Sequence, residues 1–207
     1  MSRDLATLRT VADYQFGAGA GVALFPPGDA FDVSYSSGGR PRQVHADGVR
    51  LVSYGTDGRF TLGLAGGRRL VAALATPRAR VVVGEESEAF VRDGRNAFAK
   101  FVRDVDPAVR AGDEVAVVGP DGDVYGVGRA ELSAVAMRDF ETGMAVKVRA
   151  GAGTDAGGDG GGDASASDGD GASGGGTDAA TGDGAGAGAG AGGGAGAGDG
   201  DGTDGES

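Results

Sequence analysis

Beyond Gly151 the chain contains no Leu, Ile, Val, Met or aromatic residue, and no Lys or Arg. Whatever core this 207-residue chain builds must therefore come from its first 150 residues. The remainder is Gly, Ala, Asp, Ser and Thr with a single Glu. Such a segment cannot bury enough apolar surface to offset the entropy of ordering it, so residues 151–207 are expected to be a disordered acidic tail. The "GAGAGAG" stretch within it has silk-like composition. The interspersed Asp residues and high charge favour a flexible polymer over a stack.

The tail also governs the charge of the whole. It carries 11 of the 30 acids and none of the 19 bases, so residues 1–150 hold 19 acids against 19 bases and are formally neutral. The low isoelectric point, near 4.5, reports the tail and does not argue against a nucleic-acid partner. Of the 19 bases, 17 are Arg, whose forked donors suit phosphate and base recognition. The wealth of Asp, Glu and Gly with little Lys points to a high-salt, halophilic cytoplasm. There is no cysteine, which excludes disulfides, a thiolate nucleophile and a cysteine zinc site. The N-terminus has charges every few residues and no apolar signal region, and no apolar run approaches the ~20 residues of a membrane span. A soluble cytoplasmic protein with no membrane partner is expected.

Local patterning divides the first 150 residues into two units. In residues 1–79, Leu5, Leu8, Val11 and Ala12 recur at helical spacing over 3–14, with Ser2 placed to cap the helix. "FGAGAG" (16–21) breaks it. A β-meander follows, with strands at 31–35, 42–46, 49–54 and 59–64. Asp47-Gly48 is a two-residue hairpin signal. A short helix over 68–75, with Leu70, Val71 and Leu74 on one side, stops before Pro77. In residues 80–150 the expected elements are a strand at 80–83, a helix at 85–92 capped by Gly94, and a strand across "GRNAFAKFV" (94–102). Strands at 114–118, 124–130 and 143–149 follow, with a helical turn capped by Ser133 and holding Met137 and Phe140. The fold class is α+β: a helix and antiparallel meander, then a small twisted β-barrel with short helices.

"GRNAFAKFV" is the ambiguous stretch. As a strand it places Phe98, Lys100 and Val102 on one face and Ala97, Ala99, Phe101 and Arg103 on the other. Neither face is cleanly apolar or polar. Gly94 can free N–H groups at a turn as a phosphate cradle, or simply cap a helix. Arg95 and Asn96 supply donors, and Phe98 is either core or a stacking face for a base. Phe101 is expected in the core. Arg129, after "GVG", either lines the same groove or forms a surface salt bridge. Lys100 and Lys147 are the only lysines, and both fall on strands of the second unit.

The run from 81 to 149 resembles a PUA domain, in particular those at the C-termini of archaeal tRNA-guanine transglycosylases and archaeosine synthases. The matching landmarks, in order, are a short strand and a helix ending in Gly94, then "FAKFV" (98–102), "RAGDEVAVV" (110–118), "VGRAELS" (127–133) and "GMAVKVR" (143–149). "VADYQFGAGAGVALFP" (11–26) and "VRLVSYGTDGRFTLGLAGGRRL" (49–70) resemble the domain that precedes PUA in those enzymes. The resemblance implies an archaeal module that grips structured RNA, in those enzymes tRNA near the acceptor stem. By motif position it implies RNA contacts from Arg92, Gly94, Arg95, Asn96, Phe98 and Lys100, then Lys147 and Arg149. "RDGRN" (92–96) departs from the pattern by placing Asp93 where a basic residue is common. The catalytic barrel of the transglycosylases, with its nucleophilic aspartate and cysteine-rich zinc site, has no counterpart here.

His45 has no paired acid or nucleophile, and "GAGAG" (17–21) lacks the Gly-Lys-Ser/Thr ending and preceding strand of a phosphate loop. Glu85/Glu86 and Asp121/Asp123 fit helix-start and turn chemistry better than metal ligation. No catalytic residue, metal or cofactor is expected. The reading is a non-catalytic RNA-binding protein that docks tRNA or another structured RNA and assists tRNA modification in the archaeosine pathway. The alternative is an accessory subunit that binds an RNA-modifying enzyme without strong RNA affinity of its own. An enzyme with a cryptic site is the third reading.

Overall fold

The computed structural model describes residues 2–153. Helix α1 spans Ser2–Phe16 and buries Leu8, Ala12 and Phe16, a four-residue spacing that lines up one stripe of the helix. The glycine-rich segment after it does more than end the helix. It folds back into a second short helix, α2 (Ala20–Leu24), laid directly on α1. A Cβ at Gly21 would lie 2.4 Å from the Arg9 carbonyl oxygen, so only glycine permits this approach. Asp13 fixes the crossing by accepting the Gly21 N–H at 2.8 Å.

Strands β1 (Asp32–Tyr35), β2 (Pro41–Ala46), β3 (Val49–Tyr54) and β4 (Phe60–Leu62) form an antiparallel meander in that order. The β2–β3 turn has positive φ at both Asp47 (51°) and Gly48 (77°), the backbone of a type I′ hairpin. Phe25 sits at the centre of the core, edge-on to Phe31 at 5.7 Å and to Phe60 at 6.0 Å. Helix α3 (Leu64–Ala73) begins four residues earlier than its apolar spacing indicated. Its last carbonyls are satisfied by a side chain: Arg80, 4% exposed, donates from Nη2 to Leu74 at 2.6 Å and to Val71 at 3.1 Å. Burial lowers the pKa of that guanidinium.

The second sheet has the order β6-β10-β9-β8-β5-β7. Its strands are β5 (Arg80–Val83), β6 (Ala97–Phe98), β7 (Val102–Val105), β8 (Glu114–Val118), β9 (Val124–Ala130) and β10 (Met144–Gly151). Among the described residues, β5 and β8 pair in parallel and the other strand pairs are antiparallel. Helix α4 (Glu88–Arg92) follows β5 through a 3-10 turn, and α5 (Ala134–Asp139) precedes β10. Ser133 caps α5 as expected, its side chain accepting the Ala136 N–H.

"GRNAFAKFV" is not the single strand its pattern indicated. Ala97 and Phe98 pair with β10, whereas Val102 pairs with β5 at the opposite end of the sheet. A 3-10 turn, Ala99–Phe101, carries the chain between these two edges. The stretch thereby closes the sheet into a nearly complete barrel. Ala97 and Ala99 are small and almost fully buried, which lets the backbone turn inward there.

The barrel and the meander pack together through α3, which lies on β8 and β9, and through Val127, which joins the core of the first half. β10 runs through Gly151, and Ala152 and Gly153 still donate to Tyr125 and Arg92. The rest of the expected disordered tail lies outside the described residues.

Candidate nucleic-acid interface

The loop after α4 is built around its helix end. The Gly94 N–H donates to Val91 and the Arg95 N–H to Phe90, both at 2.9 Å. This double closure needs a left-handed residue, and Gly94 has φ 81°. The Gly94 and Arg95 N–H groups are thus spent on helix carbonyls, which is the capping role and leaves neither free as a phosphate cradle. A Cβ at Gly94 would meet nothing within 4 Å, so the loop presents open backbone surface.

The side chains around this cap divide by role. Arg92 is anchored: its guanidinium lies 4.7 Å from the Tyr125 ring centroid, bonds Glu88 at 2.8 Å and reaches Asp123 at 3.6 Å. Asn96 is also committed, since its Oδ1 accepts the Val148 N–H at 3.1 Å and so clips the loop to β10. Arg95 is outward-facing, 5.6 Å over the Phe90 ring and 3.3 Å from Asp93. The unusual Asp93 therefore neutralises its own neighbour.

Beside the loop, the outer face of β6, β10 and β9 brings three expected residues together. Phe98 is 46% exposed and stands opposite Met144 on β10. Lys147, exposed on the same strand, stands opposite Arg129 on β9. Arg129 forms the surface pair that was the alternative for it, with Glu131 at 2.8 Å. Among the described residues, Lys147 and Lys100 are in no ion pair. Neither has a carboxylate to give up on meeting a phosphate.

Two expected contacts lie apart. Lys100 sits on the 3-10 turn with Nζ 4.7 Å from the Phe101 ring centroid, facing α5 rather than continuing the Phe98 face. Phe101 is half-buried. Arg149 pairs with the buried Glu114 at the seam with the meander. Burial first, then the neighbouring Arg50, lowers its pKa. Sequence reasoning missed Phe90, 51% exposed, and Met144. Phe90 adjoins the buried Val91, and two successive apolar residues in a one-turn helix give no periodicity to tell inside from outside. Among the described residues there is no group of His, Asp and Glu able to hold a metal, and no helix long and apolar enough to cross a membrane.

This geometry has relatives. Residues 6–77 match the patch-forming domain C2 of tRNA-guanine transglycosylase, and residues 79–152 match the PUA domain. The chain is 45% identical over 142 residues to a tRNA-guanine(15) transglycosylase of Thermococcus kodakarensis, covering 68% of this chain and 24% of that protein. It therefore spans about a quarter of the length of that relative. Among solved structures, a hypothetical protein of Pyrococcus horikoshii aligns with TM-score 0.59 at 21% identity, over 73% of this chain and 92% of that one. A PUA domain protein from Thermoplasma acidophilum aligns with TM-score 0.51 at 20% identity, over 72% and 93%. These two likenesses concern the fold. The chain is a PUA-domain protein, in which a C2 domain and a PUA domain are joined as in the C-terminal region of archaeal tRNA-guanine(15) transglycosylases.

Proposed function

We propose that the protein is a non-catalytic RNA-binding module that docks tRNA or another structured RNA and assists tRNA modification, in the archaeosine pathway. The observation that carries this is the outer face of β6, β10 and β9. An exposed Phe98 and an unpaired Lys147 stand there on rigid strands beside the Gly94 loop. An exposed aromatic offers stacking to any base, and an ammonium with no carboxylate partner pays little to meet a phosphate. Arg95, Arg129 and Arg92 flank that face, and Asn96 and Gly94 hold the loop in place. Lys100 and Arg149 mark its two margins. Resemblance to the C-terminal part of tRNA-modifying enzymes supports the reading. In a high-salt cytoplasm the Debye length falls to ~3 Å, so stacking and shape would carry more of the affinity than phosphate charge.

The test is binding of the full chain to labelled tRNA from about 0.2 to 2 M potassium chloride. Saturable binding that persists at high salt and is weakened by Phe98→Ala or Arg95→Ala in folded protein is expected. No binding at any salt would overturn it. One observation favours the accessory-subunit reading: Tyr14 on α1 is 92% exposed, a large aromatic turned to solvent. That reading requires nuclease-resistant co-purification with a larger enzyme.

A further inference from the structure

A groove of about 610 Å³ lies between helix α3 of the first domain and the turn that joins β8 to β9 in the second. Arg68, Arg80 and Arg92 bring three guanidinium groups to it, against the carboxylates of Asp121 and Asp123. Both acids have work of their own. Asp121 holds its turn by accepting the Asp123 N–H at 3.1 Å, and Asp123 reaches Arg92 at 3.6 Å. Arg80 is the unbalanced charge. It is 4% exposed and donates to neutral oxygens: the carbonyls of Val71, Leu74 and Arg78 and the hydroxyl of Thr76. Among the described residues no carboxylate pairs with it. A buried cation without a counter-charge favours the arrival of an anion.

We infer that this groove is the docking site for the start of the chain's own acidic tail, with the carboxylate of Asp155 entering among the three guanidinium groups. Three considerations choose this occupant. The first is where the described chain ends. The Gly153 N–H donates to the Arg92 carbonyl at 2.8 Å, so the chain leaves from the groove's wall. A Cβ at Gly151 would lie 2.4 Å from the same oxygen, so this exit is closely packed. Asp155 lies two residues beyond Gly153, within about 7 Å of extended chain. The second is complementarity. The segment "TDAGGDGG" (154–161) has two carboxylates, no base and no side chain larger than Asp. The third is tethering. A segment attached at the wall meets the groove at an effective concentration of roughly millimolar order, which a free anion has to match. Docked there, the segment straps α3 to the 119–123 turn across the seam of the two domains. This docking is independent of RNA binding.

The experiment is an NMR titration of the carboxyl groups of the full chain, labelled with carbon-13, at about 0.2 M potassium chloride. Asp155 should titrate about one pH unit below Asp163 and Asp168, which serve as references within the same tail. Arg68→Gln should return Asp155 most of the way to those references. Arg68 is exposed, so its replacement spares the core, and an unchanged circular dichroism spectrum verifies this. Asp155→Asn should shift the amide signals of Ala72 and Gly122, which lie on the two walls of the groove. Asp155 titrating together with Asp163 and Asp168 overturns the docking. So does a depression left unchanged by Arg68→Gln, or an Asp155→Asn chain in which neither wall amide moves.

Discussion

Glu114 and Arg149 form an ion pair in which the acid is almost wholly buried, and the second carboxylate oxygen accepts the Leu62 N–H at 3.0 Å. One side chain of β8 thus ties the barrel's last strand to the last strand of the meander. Removing one member of a buried pair leaves the other uncompensated, at about 3–5 kcal/mol when both are buried. Arg149 is 37% exposed, so water recovers part of that cost. Glu114→Ala is expected to destabilise the chain by about 2 kcal/mol. Glu114→Gln, which keeps an acceptor for Leu62, should cost less. Chemical denaturation of the two variants checks the order.

The Phe98–Lys147 face makes two separable demands on RNA binding. Lys147→Ala removes one phosphate contact and should flatten the slope of log affinity against log salt by about 0.7–0.9. Phe98→Ala removes stacking, which is worth about 1–3 kcal/mol per base, and should weaken binding at every salt with the slope unchanged. Titrations of labelled tRNA at several salt concentrations separate the two. Equal slopes in wild type and Lys147→Ala would remove Lys147 from the interface.

Asn96 separates a structural from a recognition role. Its Oδ1 is the acceptor for Val148. Asn96→Ala should lower stability by about 1 kcal/mol through the lost hydrogen bond, whereas Asn96→Asp preserves an acceptor and should fold like wild type. A thermal melt reads this without RNA. An unchanged melting temperature in Asn96→Ala would show that the clip contributes nothing.

Most of the scaffold was legible in the sequence because its signals are local. Asp47-Gly48 dictated a hairpin, Ser133 an N-cap, and the Val-rich runs at 80–83 and 114–118 their strands. What escaped depends on contacts distant in sequence. Nothing within "GRNAFAKFV" reveals that its two halves pair with opposite edges of one sheet, so the break at Ala99 followed only from barrel closure. Likewise α2 exists because Gly21 can lie on the backbone of Arg9, a contact invisible to spacing. At the candidate interface the residue types were readable, but their partners were not. Arg149, expected to face RNA, pairs with Glu114, 35 residues back on a neighbouring part of the barrel, whereas the surface pair already open to Arg129 forms with Glu131, two residues away.

Gly94 offers a prediction about the loop itself. An alanine there would have to adopt φ near 81°, which costs about 1 kcal/mol relative to glycine, although no atom obstructs its methyl group. Gly94→Ala should therefore lower the melting temperature by a few degrees. It should also weaken RNA binding at temperatures where the protein remains folded, through misplacement of Arg95. Unaltered affinity in a destabilised Gly94→Ala would confine this glycine to its capping role.

Tyr125 predicts how stability responds to alkali. Its ring is 2% exposed, and burial raises the phenol pKa above its ordinary value near 10.0. The charges of Glu88, Asp121 and Glu85 raise it further, and Arg92 opposes them. A group whose folded pKa is raised stabilises the native state while it stays protonated in both states. Above pH ~10 the unfolded chain loses the proton first, so this contribution falls as pH rises through the folded value. Stability should therefore decline more steeply above pH ~10 in wild type than in Tyr125→Phe, which has no proton to lose. Tyr35 is also raised, by burial and then by its bond to Asp4, but it is 44% exposed and water screens its influence on stability. Urea denaturation of wild type and Tyr125→Phe at neutral and alkaline pH measures the difference. Parallel declines would show that Tyr125 ionises as readily in the folded chain as in the unfolded one.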